Sequence, residues 1–106
     1  MFFELREYHI KPGQRERWVR FMEEVIIPYQ VSKGMVVVGS FVGQEDETLY
    51  VWLRRFESEA QREQLYKAVY ETDTWKNEIK PQVDEMLDRQ KTVIKRIEAT
   101  PKSVIR

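Results

Sequence analysis

Apolar residues in this chain change their spacing from two to three-and-four and back again, and that order of periods constrains the fold more than any other feature. Residues 2–10, Phe-Phe-Glu-Leu-Arg-Glu-Tyr-His-Ile, interleave apolar and charged side chains and stop at Lys11-Pro12-Gly13, as a strand ended by a turn does. Over residues 14–32 the period becomes helical. Trp18, Phe21, Met22, Val25, Ile26 and Tyr29 form one stripe, with Arg15, Arg20, Glu23 and Glu24 off it. Pro28 has no N–H to donate and predicts a kink or a boundary, and Gly34 is a plausible C-cap glycine. Residues 35–42 are rich in β-branched side chains and too short for a helix, so they read as a strand. After the polar Gln44–Glu47 connection, residues 48–56 form the next strand, which makes 35–56 a hairpin. Ser58 with Gln61 three positions later is a capping-box signature for a helix through about Glu71. Asp73-Thr74 caps a further helical stripe through Trp75, Ile79, Val83 and Met86/Leu87, interrupted at Pro81. Residues 90–99 alternate through Val93, Lys95 and Ile97 as a last strand, and the tail after Pro101 has no assigned state.

Strand, helix, strand, strand, helix, strand is the order of the ferredoxin-like βαββαβ unit. It predicts an α+β fold with an antiparallel sheet of order 4-1-3-2 and both helices on one face. The 106 residues make one domain, 1–106. Lys plus Arg and Asp plus Glu are 18 each, so the basic excess of a nucleic-acid or anionic-membrane binder is missing. Cysteine is absent, which excludes disulfides, thiolate nucleophiles and Cys-based metal sites, and a single histidine excludes a multi-His site within one chain. No metal and no cofactor is expected. No stretch has the length of a membrane span, and Met1-Phe2-Phe3 runs straight into Glu4, so the expected location is the cytoplasm.

Residues 49–56 have two chemically distinct rows. Leu49, Val51 and Leu53 are aliphatic; Tyr50, Trp52, Arg54 and Phe56 are aromatic or cationic. The expectation is that the aliphatic row lies against the helices and the aromatic–Arg row looks out from the uncovered face. Strand 1 would add Glu4 and Arg6 to that face. A monomer rarely exposes such an apolar patch, so a second copy packing sheet to sheet in a homodimer is expected. The space between the sheets would then hold aromatic rings, arginines and a carboxylate, a lining suited to a small, partly aromatic or anionic molecule. Cross-strand pairing of Glu4 and Arg6 with Arg54 and with each other, as structural glue, is the alternative.

Phe3-Glu4-Leu5-Arg6-Glu7-Tyr8 followed by Lys11-Pro12-Gly13 resembles the opening of the NIPSNAP family. Gly34-Met35-Val36-Val37-Val38-Gly39-Ser40-Phe41 is similar to its second strand. Val51-Trp52-Leu53-Arg54-Arg55-Phe56, Ala68-Val69-Tyr70 and Trp75-Lys76 resemble a bacterial branch of it, and the likeness covers at least residues 2–98. The resemblance implies a dimeric α+β barrel. It carries Glu4 and Arg6 as the family's opening pair, and Trp52, Arg54, Tyr70 and Trp75 as its later signature. Similar sequences often carry a histidine shortly after the Trp-Lys pair; here Asn77 and Glu78 stand there.

Three functional readings follow. The first is a small-molecule-binding protein or enzyme of unassigned reaction, with Glu4, Arg6, Trp52, Arg54, Tyr70 and Trp75 around the ligand. The second is a cofactor-free monooxygenase or isomerase-like enzyme, with aromatic walls and an arginine stabilising an enolate. The third is an interaction module without chemistry. His9 reads as a half-exposed strand-end residue, with a general base as its functional alternative. Tyr66 and Tyr70 are one turn apart, and one of them facing a cavity could donate a proton. No Gly-rich phosphate loop and no nucleophile elbow is present.

Overall fold

The computed structural model describes residues 1–106. Four strands, β1 (Phe2–His9), β2 (Val36–Val42), β3 (Leu49–Phe56) and β4 (Val93–Ile97), form one antiparallel sheet of order β2-β3-β1-β4. This is the expected topology, with β3 between β1 and β2. Register between β1 and β3 is continuous from Phe2↔Phe56 to His9↔Leu49, so Glu4 faces Arg54, Arg6 faces Trp52 and Tyr8 faces Tyr50. The β2–β3 ladder shifts register between Val37 and Gly39.

Three helices cover one face: α1 (residues 15–32), α2 (Glu59–Tyr70) and α3 (residues 74–86). Both expected proline interruptions occur as π turns rather than breaks. Met22–Ile26 is π-helical two residues before Pro28, and Thr74–Ile79 is π-helical two residues before Pro81. A proline removes the donor for the carbonyl four residues back, and a turn wound one residue wider offers that carbonyl the next N–H instead. Gly34 follows α1 at φ 106°, the left-handed conformation expected of a residue past a helix C-terminus. Ser58 accepts from Gln61 N–H at 3.1 Å, as its sequence position predicts, but the Gln61 side chain reaches the N–H of Glu57 rather than of Ser58. At the start of α3 the Asp73 side chain makes no cap; Thr72 Oγ1 accepts from Trp75 N–H at 3.2 Å.

The expected facing of the sheet is reversed. Tyr50, Trp52, Arg54 and Phe56 are all buried beneath the helices, whereas Leu49, Val51, Leu53 and Arg55 lie on the side without helical cover and are half-buried. Trp18, Phe21, Met22 and Ile26 of α1 and Ile79, Val83 and Met86 of α3 pack on Tyr50 and Trp52. A smaller cluster joins Phe56 to Met35 and Val69. The reason lies in volume and in partners. Helices stand well away from a twisted sheet, and large side chains fill that gap while short aliphatic ones would leave voids. An arginine is tolerated there because α1 and α2 bring it hydrogen-bond acceptors. Polarity along a single strand carries no record of either. A ligand held between the sheets of two copies by Trp52 and Arg54 is therefore ruled out.

Candidate functional site between the sheet and its helices

Glu4 and Arg54 form the centre of a buried network. They sit opposite each other on β1 and β3, and Arg54 Nη2 donates to Glu4 Oε1 at 2.6 Å. The cross-strand pairing weighed from the sequence is thus realised for these two. From α2, Tyr66 donates its proton to Glu4 and accepts from Arg54 Nη2 at 2.7 Å, and Arg62 Nε donates to Glu4 Oε2 at 3.0 Å. Arg54 Nη1 donates to Gln30 Oε1 at 2.9 Å and to the Tyr70 hydroxyl at 2.8 Å. Its guanidinium also lies over the Trp52 ring, 4.6 Å from the centroid.

These contacts set the charge states. Burial works to raise the Glu4 pKa, but the Tyr66 hydrogen bond and the Arg54, Arg62 and Arg6 charges outweigh it and hold the carboxyl at about 2. Burial likewise works against the Arg54 charge, and Tyr70, Tyr66, Tyr8 and Glu4 overcome it, so Arg54 stays protonated. The Tyr66 phenol is pushed up to about 12, chiefly by burial, with its bond to Glu4 adding to the shift and Arg54 opposing it.

Beside this network is a cavity of about 360 Å³. Arg6 and Tyr8 of β1 and Trp52 of β3 form its floor. Trp18, Met22, Ile26 and Gln30, spaced four apart on α1, form one wall; Tyr66, Tyr70 and Trp75 form another. Both π turns contribute to the lining, through Met22 and Ile26 and through Trp75. Val83, Leu87, Arg89 and Thr92 complete it. Its only charged residues are Arg6 and Arg89. The Arg89 guanidinium donates to Asp84 at 3.0 Å and is half-exposed. Arg6 lies 3.9 Å from a Glu4 oxygen that already has two closer donors, and its own Nε has no hydrogen-bond partner. Buried indole N–H groups of Trp18 and Trp52 are unpartnered as well.

All six residues singled out from the sequence converge here, although on the opposite side of the sheet from the one expected. Arg6, Trp52, Tyr70 and Trp75 line the cavity; Glu4 and Arg54 lie in the network beside it. Sequence reasoning missed Gln30, which is fully buried and joins two arms of the network. The available signal was its place four residues after Ile26 on the apolar stripe of α1. Tyr8, the next member of the Glu4–Arg6 row on β1, was missed although the same alternation that grouped Glu4 with Arg6 places it there. His9 lies on the open side, outside the cavity lining. No cluster of three or more His, Asp or Glu side chains able to hold a metal ion occurs, and no helix is long and apolar enough to cross a membrane.

The NIPSNAP family model matches residues 3–101. A NIPSNAP family protein of unknown function from Agrobacterium tumefaciens superposes with a TM-score of 0.88 at 20% identity, covering 100% of this chain and 94% of that one. An uncharacterized NIPSNAP domain protein from Burkholderia xenovorans gives 0.85 at 12% identity over 97% and 98% of the two chains. An antibiotic biosynthesis monooxygenase gives 0.69 at 16% identity over 95% and 100%. At these identities the solved structures establish the fold alone. No curated protein matches the sequence.

Proposed function

This chain belongs to the NIPSNAP family, and we propose that it is a homodimer in which each copy binds a small, partly aromatic anion between its sheet and its helices. The carrying observation is the charge of the cavity. In a chain with no net charge, the lining contains two arginines and no carboxylate. Glu4, the nearby carboxylate, is 1% exposed and already held by Arg54, Tyr66 and Arg62. Arg6 is therefore the cation with donors to spare, and an anion is the partner it lacks. The remaining walls are largely aromatic and aliphatic, as in sites for planar organic molecules.

Dimerisation draws support from the other face. The row Leu49, Val51 and Leu53 on β3, with exposed Val36 and Phe41 on β2, Leu5 on β1 and exposed Val93 and Ile97 on β4, gives the open face an apolar surface interrupted on β1 by Glu7 and His9. A second copy of the same surface is its simplest cover.

A reading without ligand chemistry, in which the buried polar groups only satisfy one another, accounts for Glu4 and Arg54 but leaves Arg6 unexplained. Calorimetric titration with 2-naphthoate, 2-naphthamide and 2-naphthylmethylammonium separates the two. The proposal expects the carboxylate to bind at least about tenfold more tightly than the amide, with Arg6→Ala erasing the difference. Equal affinities, preference for the ammonium, or no binding of any of the three rejects it.

A further inference from the structure

The Tyr70 hydroxyl is unlike the other phenols in this fold. Its oxygen accepts two hydrogen bonds, from Arg54 Nη1 at 2.8 Å and from Gln30 Nε2 at 3.1 Å. A phenol oxygen has two acceptor positions and one proton. Both positions are taken by N–H donors, one of them on a cation, and no group of this chain accepts the proton. Tyr66 differs, because its proton goes to Glu4. Tyr50 differs, because it pairs with Ser40 at 2.5 Å at the far end of β3. Tyr8, Tyr66 and Tyr70 line the cavity; Tyr66 gives its proton to Glu4, Tyr8 and Tyr70 give theirs to no group of this chain, and of those two only Tyr70 accepts from a cation.

Drawing electron density from a phenol oxygen strengthens its O–H as a donor, and chained hydrogen bonds reinforce one another in a low-dielectric interior. The ring is held in place by edge contact with Trp75, centroids 4.7 Å apart, and by packing on Tyr66 at 5.0 Å. Across the same cavity, the buried Trp52 indole N–H is unpartnered. The Trp52 ring packs on that of Tyr8, centroids 6.3 Å apart. Two donors, the Trp52 indole N–H and the Tyr70 O–H, are thus left unused around this space. A single fixed O–H, rather than a two-pronged guanidinium, suits an anion whose charge is centred on one oxygen.

We infer that Tyr70 donates its hydrogen bond to a single-oxygen anion of the ligand, which narrows the ligand class to planar phenolates and enolates, with Arg54 and Gln30 as positioning residues behind the phenol. This rests on the anion-binding reading above and goes beyond it in naming the donor and the type of oxygen.

The test uses 4-nitrophenol, whose absorbance distinguishes phenol from phenolate, and nitrobenzene as its neutral counterpart. In the wild-type protein the bound nitrophenol is expected to ionise with a midpoint lowered by about one pH unit or more. Tyr70→Phe is expected to return the midpoint toward that of free nitrophenol and to weaken phenolate binding about tenfold or more, leaving nitrobenzene binding unchanged. An unshifted midpoint in the wild type, or the same shift in Tyr70→Phe, overturns the inference. Should Tyr70→Phe fail to fold, Arg6→Ala decides: a lowered midpoint must persist there in part, and its complete loss assigns the oxygen to Arg6 and overturns the role of Tyr70. A protein that prefers 2-naphthoate to its amide but leaves nitrophenol unshifted refutes the Tyr70 inference and keeps the anion site. One that shows neither loses both.

Discussion

The two rows of β3 differ by one residue in register and by almost everything else. The even row, Tyr50 to Phe56, is bulky and buried, its Arg54 included; the odd row, Leu49 to Arg55, is half-buried and mostly short and aliphatic, its Arg55 in reach of solvent. Their neighbours explain the difference. The even row meets helices, which supply Gln30, Tyr66 and Tyr70 to an arginine and enough apolar surface for two large aromatics. The odd row meets no helix and presents what a second flat sheet can pack against. A polar side chain goes where partners can reach it, and for Arg54 those are Glu4 on the neighbouring strand together with Gln30, Tyr66 and Tyr70 on the helices.

The comparison breaks most severely at the ion pair. Glu4→Ala leaves Arg54 charged, buried and short of an acceptor, and is expected to cost about 3–5 kcal/mol in chemical denaturation. A loss below about 1 kcal/mol would show that the covered face does not depend on the pair. The pH dependence is next in size. Glu4 is held at about 2 in the folded chain against an ordinary value of 4.5. A depressed carboxyl stabilises the fold above its unfolded pKa and loses that contribution as pH falls toward the folded one. Stability should therefore drop by about 3 kcal/mol between pH 4.5 and 2, with Glu4→Gln flattening that limb of the curve. On the open face the expected effect on the chain itself is smallest. Val51→Glu should change monomer stability by no more than about 1 kcal/mol while separating the dimer in light scattering. A wild type that is already monomeric at micromolar concentration removes the proposed interface, and a Val51→Glu variant that remains dimeric moves it elsewhere.

Much of this was legible before any coordinates. The strands at 2–10, 35–42, 48–56 and 90–99 contain the observed ones, because period-two alternation reports local backbone geometry directly. Both prolines marked real irregularities, though as wider turns rather than breaks. The grouping of Glu4, Arg6, Trp52 and Arg54 was correct as well, since alternation decides which residues share a face. Which face was covered was not legible, and the choice by polarity was wrong. Gln30 escaped for a related reason: a glutamine on an apolar stripe gives no sign that a tyrosine and an arginine from distant segments will meet it.

From its residues alone, this chain determined its element order, its sheet topology and the membership of its two faces, all consequences of backbone period and of turn chemistry within a few positions. Tertiary structure decided which face the helices cover, and with it that Arg54 is a buried strut while Arg6 and Tyr70 keep donors that no group of this chain uses. That decision depends on volumes to be filled and hydrogen bonds to be completed between segments as far apart as Glu4 and Tyr66. Such pairings exist only once the helices have docked on the sheet.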